Sequence, residues 1–233
     1  MAFDGVAMIT GAAGNLGRAV AAAFAAAGAR TALLDLDARG LEAAYGADTD
    51  TRLSLAADLG SDAAIAAAVG KTQARFGRID ALCNIAGGFR MGPAVHETPD
   101  ELWRQMIDLN AGSMLRMARA VVPGMLATGR GSIVSVAAMG GTHGGAQMAA
   151  YSASKSAVIR LTESMALELR DKGINVNCVL PSIIDTPANR AAMPQADFAK
   201  WVAPAALADV ILFLASDAAR AIHGAALPVV GLS

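Results

Sequence analysis

Short, almost entirely apolar runs alternate along this chain with longer alanine-rich runs, and the alternation predicts its secondary structure. The apolar runs have the length of β-strands and are bounded by glycine or polar residues. They predict strands over residues 6–10, 31–34, 81–85, 132–137, 176–180 and 226–230. The alanine-rich runs predict helices over residues 16–27, 62–75, 102–126, 151–172 and 207–215. In the third of these helices we expect strain at Pro123, which has no N–H to donate.

The predicted strands are apolar on both faces, which is typical of a parallel sheet covered by helices on each side. The fold class is therefore α/β, a Rossmann-type doubly wound parallel sheet. All 233 residues are predicted to form one domain, because no linker, repeat or low-complexity segment interrupts the pattern. Residues 181–204 contain four prolines, at 181, 187, 194 and 204. A long irregular loop in a compact domain is usually functional, so we expect this one to be a substrate lid.

Composition and charge then narrow the class of partner. The 19 basic and 20 acidic side chains give a net charge of −1, so no long-range field draws the protein to nucleic acid or an anionic membrane. The longest apolar stretch, residues 19–29, is far shorter than the ~20 residues that span a bilayer. Hydrophobic residues make up 55% of the chain, which is ample for a large core. The expected partner is a small-molecule substrate.

The cysteines and the N-terminal residues indicate a compartment. Two cysteines exclude a disulfide scaffold, and no cysteine or histidine cluster has the spacing of a zinc site, so we expect no metal. The first residues contain Asp4 but no basic region, unlike a secretory signal peptide. The expected location is the reducing cytoplasm.

A glycine-rich turn over residues 10–17, with the sequence TGAAGNLG, joins the first predicted strand to the first predicted helix. Glycine lets the backbone turn sharply and approach a ligand, and the N–H groups at a helix N-terminus attract phosphate. Because the turn lies between a strand and a helix, it favours a dinucleotide site over an ordinary tight connection.

Asp35 ends the second predicted strand, 18 residues after Gly17. A carboxylate at this point accepts hydrogen bonds from the adenosine ribose hydroxyls and repels a 2′-phosphate. Neither of the next two residues is basic, and Ala13 lies in the turn. The sequence therefore favours NAD, as NADH, over NADPH. The alternative for a lone aspartate is a solvated strand end or a helix cap.

Further motifs follow in order along the chain. They are Asp58-Leu59 after the third strand, LCNIAG at 82–87, Asn110, the Tyr-x-x-x-Lys spacing of Tyr151 and Lys155, and PSIIDT at 181–186. Together with the turn and Asp35, these motifs resemble those of the short-chain dehydrogenase/reductase family over nearly the whole chain. Two positions depart from the usual pattern, since Ile85 replaces an asparagine and Ser182 replaces a glycine.

The resemblance implies an NAD(P)-dependent oxidoreductase whose cofactor lies along the carboxyl ends of the strands. The cofactor-binding residues that it and the turn indicate are Gly11, Ala13, Asn15, Leu16, Gly17, Asp35, Leu36, Asp58, Leu59, Ala86, Gly87, Tyr151, Lys155, Pro181, Ile184 and Thr186. Members of the family usually form dimers or tetramers through two long helices, here at about 102–126 and 151–172. The resemblance thus implies a homodimer or homotetramer.

Tyr151 and Lys155 are one helical turn apart and share a face of the predicted helix. A phenol with a pKa of ~10 is a poor acid or base at neutral pH, and we expect the nearby ammonium to lower that pKa. An ordinary surface pair is the alternative from these two residues alone. The family resemblance implies that Tyr151 is the catalytic acid/base, that Lys155 also holds the nicotinamide ribose, and that Asn110 helps to order a proton-relay water.

The chain departs from the family at Ala138, thirteen residues before Tyr151, where members normally carry a serine that polarises the substrate carbonyl. A methyl group cannot form hydrogen bonds, and losing one such donor typically costs ~2.7–4 kcal/mol of transition-state stabilisation. Three explanations are open: another donor replaces the serine, the substrate needs none, or the protein binds its cofactor with little catalysis. The nearby alternative donors are Ser135, Thr142, His143 and Gln147.

The second explanation is favoured by a resemblance to the dihydropteridine reductase-like branch of the family. That branch lacks the serine, carries Ala-Gly-Gly after the fourth strand, here residues 86–88, and has a late segment similar to residues 179–201. A quinonoid dihydropterin accepts a hydride and a proton, and it needs a planar apolar slot more than an oxyanion clamp. The expected substrate-side residues are Phe89, His143, Gln147 and Trp201. For Phe89 and Trp201 the alternative is simple core or lid packing.

Overall fold

One seven-stranded parallel sheet organises the protein, in a computed structural model that describes residues 1–233. The strand order is β3-β2-β1-β4-β5-β6-β7, so the direction of winding reverses between β1 and β4. The strands are β1 Val6–Thr10, β2 Arg30–Asp35, β3 Arg52–Ala56, β4 Ala81–Asn84, β5 Gly131–Val136, β6 Ile174–Pro181 and β7 Ala226–Val229. β2 and β3 lie on one side of β1, and β4 to β7 lie on the other side. Because the strand order reverses at this point, a crevice opens at the carboxyl ends of β1 and β4.

Helices cover both faces of the sheet. They are α1 Asn15–Ala26, α2 Ala38–Tyr45, α3 Asp62–Phe76, α4 Asp100–Ile107, α5 Ser113–Thr128, α6 Ala149–Leu169, α7 Pro187–Ala192 and α8 Pro204–Ala215. None of these helices combines the length and the apolar composition that crossing a bilayer requires.

Each central strand supplies both layers of the core, because successive side chains point to opposite faces. On β1, Ile9 belongs to the layer that includes Phe24 of α1 and Leu207 of α8. Its neighbour Met8 belongs to the opposite layer, with residues of α3, α5 and α6 such as Val121. The uninterrupted apolar strands of the sequence are thus explained by burial on both sides.

The predicted elements are present, and the doubly wound α/β class is confirmed. The main correction concerns the helix predicted over residues 102–126. A π-helical turn, Asp108–Gly112, separates α4 from α5. The helix then continues through Pro123 to Thr128, so it does not end at the proline, and the strain expected there stays a prediction.

The segment 181–204 is less irregular than its prolines suggest. Pro187 begins α7, where a missing N–H has no cost, and the Thr186 side chain caps the helix by accepting a hydrogen bond from Asn189 N at 3.2 Å. A bridge between Ile184 and Val202 closes the segment at its base. The sequence pattern missed α2 and α7 because short helices carry little periodicity.

Candidate active site

A cleft of about 430 Å³ opens at the carboxyl ends of the first four strands. It is therefore located at the switch point of the sheet, where α/β proteins bind ligands. The sequence-predicted residues that line it are Gly11, Leu16, Gly17, Asp35, Leu36, Asp58, Leu59, Ala86 and Gly87.

The glycine-rich turn forms the floor of this cleft, and two of its glycines have no room for a side chain. Gly11 has a φ of +64°, and a Cβ there would lie 2.9 Å from Ala86 N. A Cβ at Gly17 would overlap the carbonyl oxygen of Gly11. The turn is thereby pressed against both α1 and the loop after β4, and the first N–H groups of α1 face the cleft as a potential phosphate site.

Asp35 is fixed at the mouth of the cleft by backbone groups. Its Oδ2 accepts a hydrogen bond from Ala13 N at 2.9 Å, and its Oδ1 accepts one from Asp37 N at 3.1 Å. These bonds orient the carboxylate and leave further lone pairs for a ligand. Ala13 itself does not line the cleft, and Asn15 begins α1 beside it.

Thr10 connects the turn to the loop that follows β4. Its Oγ1 accepts hydrogen bonds from Ile85 N and Ala86 N, both at 3.1 Å. A Cβ at the next residue, Gly87, would lie 2.7 Å from Asn110 Oδ1 and 3.2 Å from Lys155 Nζ. The absence of a side chain at Gly87 therefore brings the inner end of the cleft next to two of the predicted catalytic residues.

Asn110 lies in the π-helical turn and is almost completely buried. Its Oδ1 accepts a hydrogen bond from Gly88 N at 2.9 Å, while its Nδ2 donates to Gly88 O at 3.1 Å and to Ser154 Oγ at 3.0 Å. Ser154 in turn donates to the carbonyl oxygen of Tyr151 at 2.7 Å. The amide thus joins the loop after β4 to the first turn of α6. These contacts give Asn110 a structural role in bonding backbone, and a relay role stays a prediction.

Lys155 is a buried cation, with only 5% of its surface exposed. Its Nζ donates a hydrogen bond to Val136 O, at the end of β5, at 2.8 Å. Burial disfavours the charged form and lowers the pKa of Lys155 from its ordinary value of 10.5 to about 8. A buried amine with a perturbed pKa beside a cleft is a mark of a functional site.

The Tyr151 ring is partly buried and meets the Phe89 ring edge to face, with 4.8 Å between centroids and an interplanar angle of 85°. Burial raises the pKa of Tyr151 from 10.0 to about 12. This is opposite to the direction expected from the sequence, because burial removes water from the phenolate and so disfavours the charged form. In the free protein Tyr151 is therefore a protonated phenol at neutral pH.

Ala138 directly precedes the turn that packs on α6, and its methyl group is buried. The Ser135 hydroxyl lies inside the sheet, where it accepts a hydrogen bond from Asn84 Nδ2 at 3.1 Å. Thr142 Oγ1 lies 3.0 Å from His143 Nδ1, and both residues are exposed. Of these donors, Ser135 is engaged inside the sheet, whereas Thr142 and His143 are exposed.

The other predicted substrate-side residues are spread over the loops around Tyr151. Gln147 is exposed and is the one non-glycine residue with a positive φ, +61°, and its carbonyl oxygen accepts a hydrogen bond from Gly92 N at 2.8 Å. Phe89 is 54% exposed above Tyr151. Trp201 is instead buried and packs on Phe198, with 4.8 Å between ring centroids. Trp201 therefore packs within the 181–204 segment, in agreement with the packing alternative given above for this residue.

Pro181, Ile184 and Thr186 lie at or beyond the end of β6, outside the cleft described above. Asn189 Nδ2 donates to Ile184 O at 2.8 Å. These residues therefore belong to the base of the 181–204 segment, and their predicted contact with the cofactor stays a prediction.

Several cleft residues were missed from the sequence. Gly14, Ala57, Gly60 and Ile85 flank positions that the motifs did identify. The others come from the helical wall, where Arg116 donates to Leu59 O and to Asp108 Oδ1, each at 2.7 Å. These helical residues face the cleft because of the π turn, which no sequence pattern predicted. No group of three or more His, Cys, Asp or Glu side chains is arranged to hold a metal ion.

The site fits a dinucleotide on three structural grounds. The turn at Gly11 and Gly17 leaves backbone without side chains facing the cleft, Asp35 offers an oriented carboxylate, and Gly87 leaves an open approach to Lys155. Each feature matches a different part of such a cofactor: pyrophosphate, ribose hydroxyls and the reacting end.

Comparisons with known proteins agree with this geometry. A family model described as "short chain dehydrogenase" matches residues 5–197. The chain is 37% identical to a D-threitol dehydrogenase of Mycolicibacterium smegmatis, over 97% of this chain and 91% of the relative. It is 32% identical to a 3-oxoacyl-[acyl-carrier-protein] reductase of Escherichia coli, over 99% and 98%. A crystal structure titled NAD+-bound xylitol dehydrogenase superimposes with a TM-score of 0.88 at 29% identity, covering 97% of each chain.

The buried Lys155 predicts a specific pH dependence of stability. Between about pH 8 and 10.5 the unfolded chain binds more protons at this residue than the folded protein does. The free energy of unfolding should therefore rise with pH across this window, by about 3 kcal/mol relative to Lys155→Met. Urea denaturation of both proteins at several pH values measures the difference, in which the contribution of Tyr151 cancels.

Lys71→Met, at an exposed lysine of α3, is the matched control and should keep the wild-type pH dependence. Parallel pH profiles for the wild type and Lys155→Met would mean that the amine is not held in a desolvated position.

Proposed function

Since this chain belongs to the short-chain dehydrogenase family, and is an oxidoreductase with a nicotinamide cofactor, we propose that it uses NAD(H) to reduce a planar C=N or C=O substrate. The observation that carries this proposal is the position of Gly87, which lines the cleft and lies next to Lys155 and Asn110. The features expected of cofactor binding and of proton transfer are thereby contiguous.

In this proposal the cofactor lies along the cleft and supplies the hydride when bound. The turn from Gly11 to Gly17 holds the pyrophosphate, and Asp35 accepts hydrogen bonds from the adenosine ribose. Leu36, Asp58 and Leu59 surround the adenine. Ala13, Asn15 and Leu16 support the turn, while Pro181, Ile184 and Thr186 border the nicotinamide side.

Tyr151 donates the proton that accompanies the hydride. Burial raises its pKa to about 12, so the phenol carries its proton at neutral pH before the substrate binds. Lys155 holds the nicotinamide ribose beside it. Asn110 contributes by fixing the backbone between Gly88 and Tyr151 through Ser154, and it helps to order the proton-relay water.

Two substrate classes are distinguished by the surroundings of Tyr151. The methyl group of Ala138 and the Phe89 ring favour a flat conjugated acceptor such as quinonoid dihydropterin, which needs no second hydroxyl donor. The names of the relatives favour the other class, alcohols and carbonyl compounds. His143, Thr142 and Gln147 are the exposed groups that would assist a carbonyl substrate.

We assign residues 181–204 as the lid over this substrate. The Asp185 carboxylate and the Arg190 guanidinium form a two-point ion pair, with distances of 2.6 and 2.7 Å. The same guanidinium lies 4.8 Å from the centroid of Phe198, which packs on Trp201. The pair lowers the pKa of Asp185, so it persists at neutral pH and is lost only in acid. These contacts make the lid one connected unit.

The proposal includes assembly and location. Exposed apolar side chains on the long helices, among them Leu115 and Leu167, support a homodimer or homotetramer formed through these helices. Two buried free thiols, Cys83 and Cys178, are consistent with a reducing, cytoplasmic location.

The role of Asp35 predicts the cofactor preference. The wild type should bind NADH more tightly than NADPH, and Asp35→Asn should shift the ratio of the two Kd values by at least about 10-fold toward NADPH, because a like-charge contact with the 2′-phosphate is removed. Fluorescence titration with each cofactor measures both constants.

Asp37→Asn is the matched control, because Asp37 caps α2 outside the cleft and asparagine caps a helix equally well. It should leave both affinities unchanged. Wild-type affinity for NADPH equal to that for NADH would refute the assigned role of Asp35.

The substrate class is tested by restoring the missing hydroxyl. Oxidation of NADH is followed with quinonoid dihydropterin and with a set of small ketones, for the wild type and for Ala138→Ser. Ketone reduction should rise by about 10-fold or more, since one polarising donor is typically worth 10²–10³ in kcat. Pterin reduction should stay within about 2-fold, because that substrate does not depend on the donor.

Ala138→Gly changes the volume at this position without adding a donor, so it should not raise ketone reduction. Efficient ketone reduction by the wild type, with no pterin activity, would favour the carbonyl class. Tight NADH binding without turnover of any substrate would mean that the chain binds cofactor with little catalysis.

A further inference from the structure

A second cavity, of about 230 Å³, lies at the opposite edge of the sheet, among the amino ends of β5 and β6 and the segment after α8. It has no part in the function proposed above. Three arginines line it: Arg130 before β5, Arg170 at the end of α6, and Arg220 after α8.

Glycines determine the shape of this cavity. Gly173 has a φ of +75°, and a Cβ there would overlap the carbonyl oxygen of Gly129. Gly131 N donates to Gly173 O at 3.2 Å, and Gly173 N donates to Arg170 O at 3.3 Å. The close backbone approach brings the segments that carry Arg130 and Arg170 to one cavity. This part of the cavity wall is therefore formed by the backbone of the fold.

The three guanidinium groups are poorly neutralised by the protein. Arg130 lies 3.9 Å from Asp217, and Arg170 lies 3.9 Å from Asp171. Arg220 donates at 3.3 Å to a backbone carbonyl, that of Asp217. Elsewhere in the protein arginines make much closer ion pairs, at 2.7 Å for Arg116, 2.7 Å for Arg160 and 2.6 Å for Arg190.

The Asp80 carboxylate also lines the cavity, but both of its oxygens already have partners within the protein. Its Oδ2 accepts a hydrogen bond from Val6 N at 2.8 Å, and its Oδ1 lies 2.9 Å from Arg78 Nε. Asp217 is then the one lining carboxylate without a close cationic partner, against three arginines. This local positive excess, in a chain of net charge −1, would attract an anion to the cavity.

We propose that this cavity binds a small polyvalent oxyanion, carrying phosphate or carboxylate groups, at the edge of the sheet opposite the cofactor cleft. The guanidinium fork matches both kinds of group through paired N–H donors. The volume suits a ligand smaller than the 300–1,000 Å³ that drug-sized molecules occupy. Binding of this ligand would stabilise the folded protein.

The test is a thermal unfolding scan with pyrophosphate, with citrate, or with sodium chloride at matched ionic strength. Either anion, at a concentration several-fold above its Kd, should raise the wild-type Tm by about 2–4 °C over the chloride value. The double variant Arg130→Gln/Arg170→Gln should lose that rise. Since both side chains are half-exposed, the variant should fold, and circular dichroism confirms it.

Arg75→Gln is the matched control, at a side chain of similar exposure that lies outside the cavity, and it should keep the wild-type shift. Pyrophosphate also has access to the cofactor cleft, so the difference between the double variant and Arg75→Gln isolates the second cavity. A shift with pyrophosphate alone assigns a phosphate ligand, and a shift with citrate alone assigns a polycarboxylate. No shift with either anion, or equal shifts in the double variant and the control, would overturn the proposal.

Discussion

The burial of the Lys155 ammonium is the constraint on which the active-site arrangement depends. A charged amine removed from water needs a partner, and Val136 O at the end of β5 provides one. Reaching that carbonyl requires α6 to pack closely on the turn after β5, where Gly141 leaves no room for a side chain beside the Lys155 backbone. It also requires an open space on the side of Gly87. The amine therefore fixes the relative positions of β5, α6 and the loop after β4.

The two halves of the site differ in whether they are formed mainly by backbone or by side chains. The cofactor half consists largely of backbone, at the glycine turn, Thr10 and the loop after β4, and the Asp35 carboxylate there is oriented by two backbone N–H groups. The surroundings of Tyr151, which we propose as the substrate half, consist instead of side chains such as Ala138 and Phe89. This division is consistent with relatives that are named for different substrates, a D-threitol dehydrogenase and a 3-oxoacyl-[acyl-carrier-protein] reductase.

The sequence predicted those parts of the site whose chemistry is local. The turn at 10–17, Asp35 at a strand end, and the one-turn spacing of Tyr151 and Lys155 are each contained in a short segment, and the structure brings the segments to one edge of the sheet. It missed the π turn and the wall formed by Arg116, because these depend on how α5 packs against the loop at Leu59. The predicted direction of the shift in the Tyr151 pKa was also wrong, because desolvation depends on everything that surrounds the phenol and not on one neighbour.

The central claim is that Tyr151 supplies a proton beside the bound cofactor. The most direct measurement is the turnover of NADH with the best substrate by Tyr151→Phe, together with its Kd for NADH. Tyr45→Phe is the control, at the other tyrosine, whose hydroxyl donates to Ala12 O in the glycine-rich turn and not at the reacting end of the cleft. The account predicts that Tyr151→Phe loses about 10²-fold or more in kcat with little change in Kd, whereas Tyr45→Phe keeps its rate. Wild-type turnover by Tyr151→Phe would contradict it.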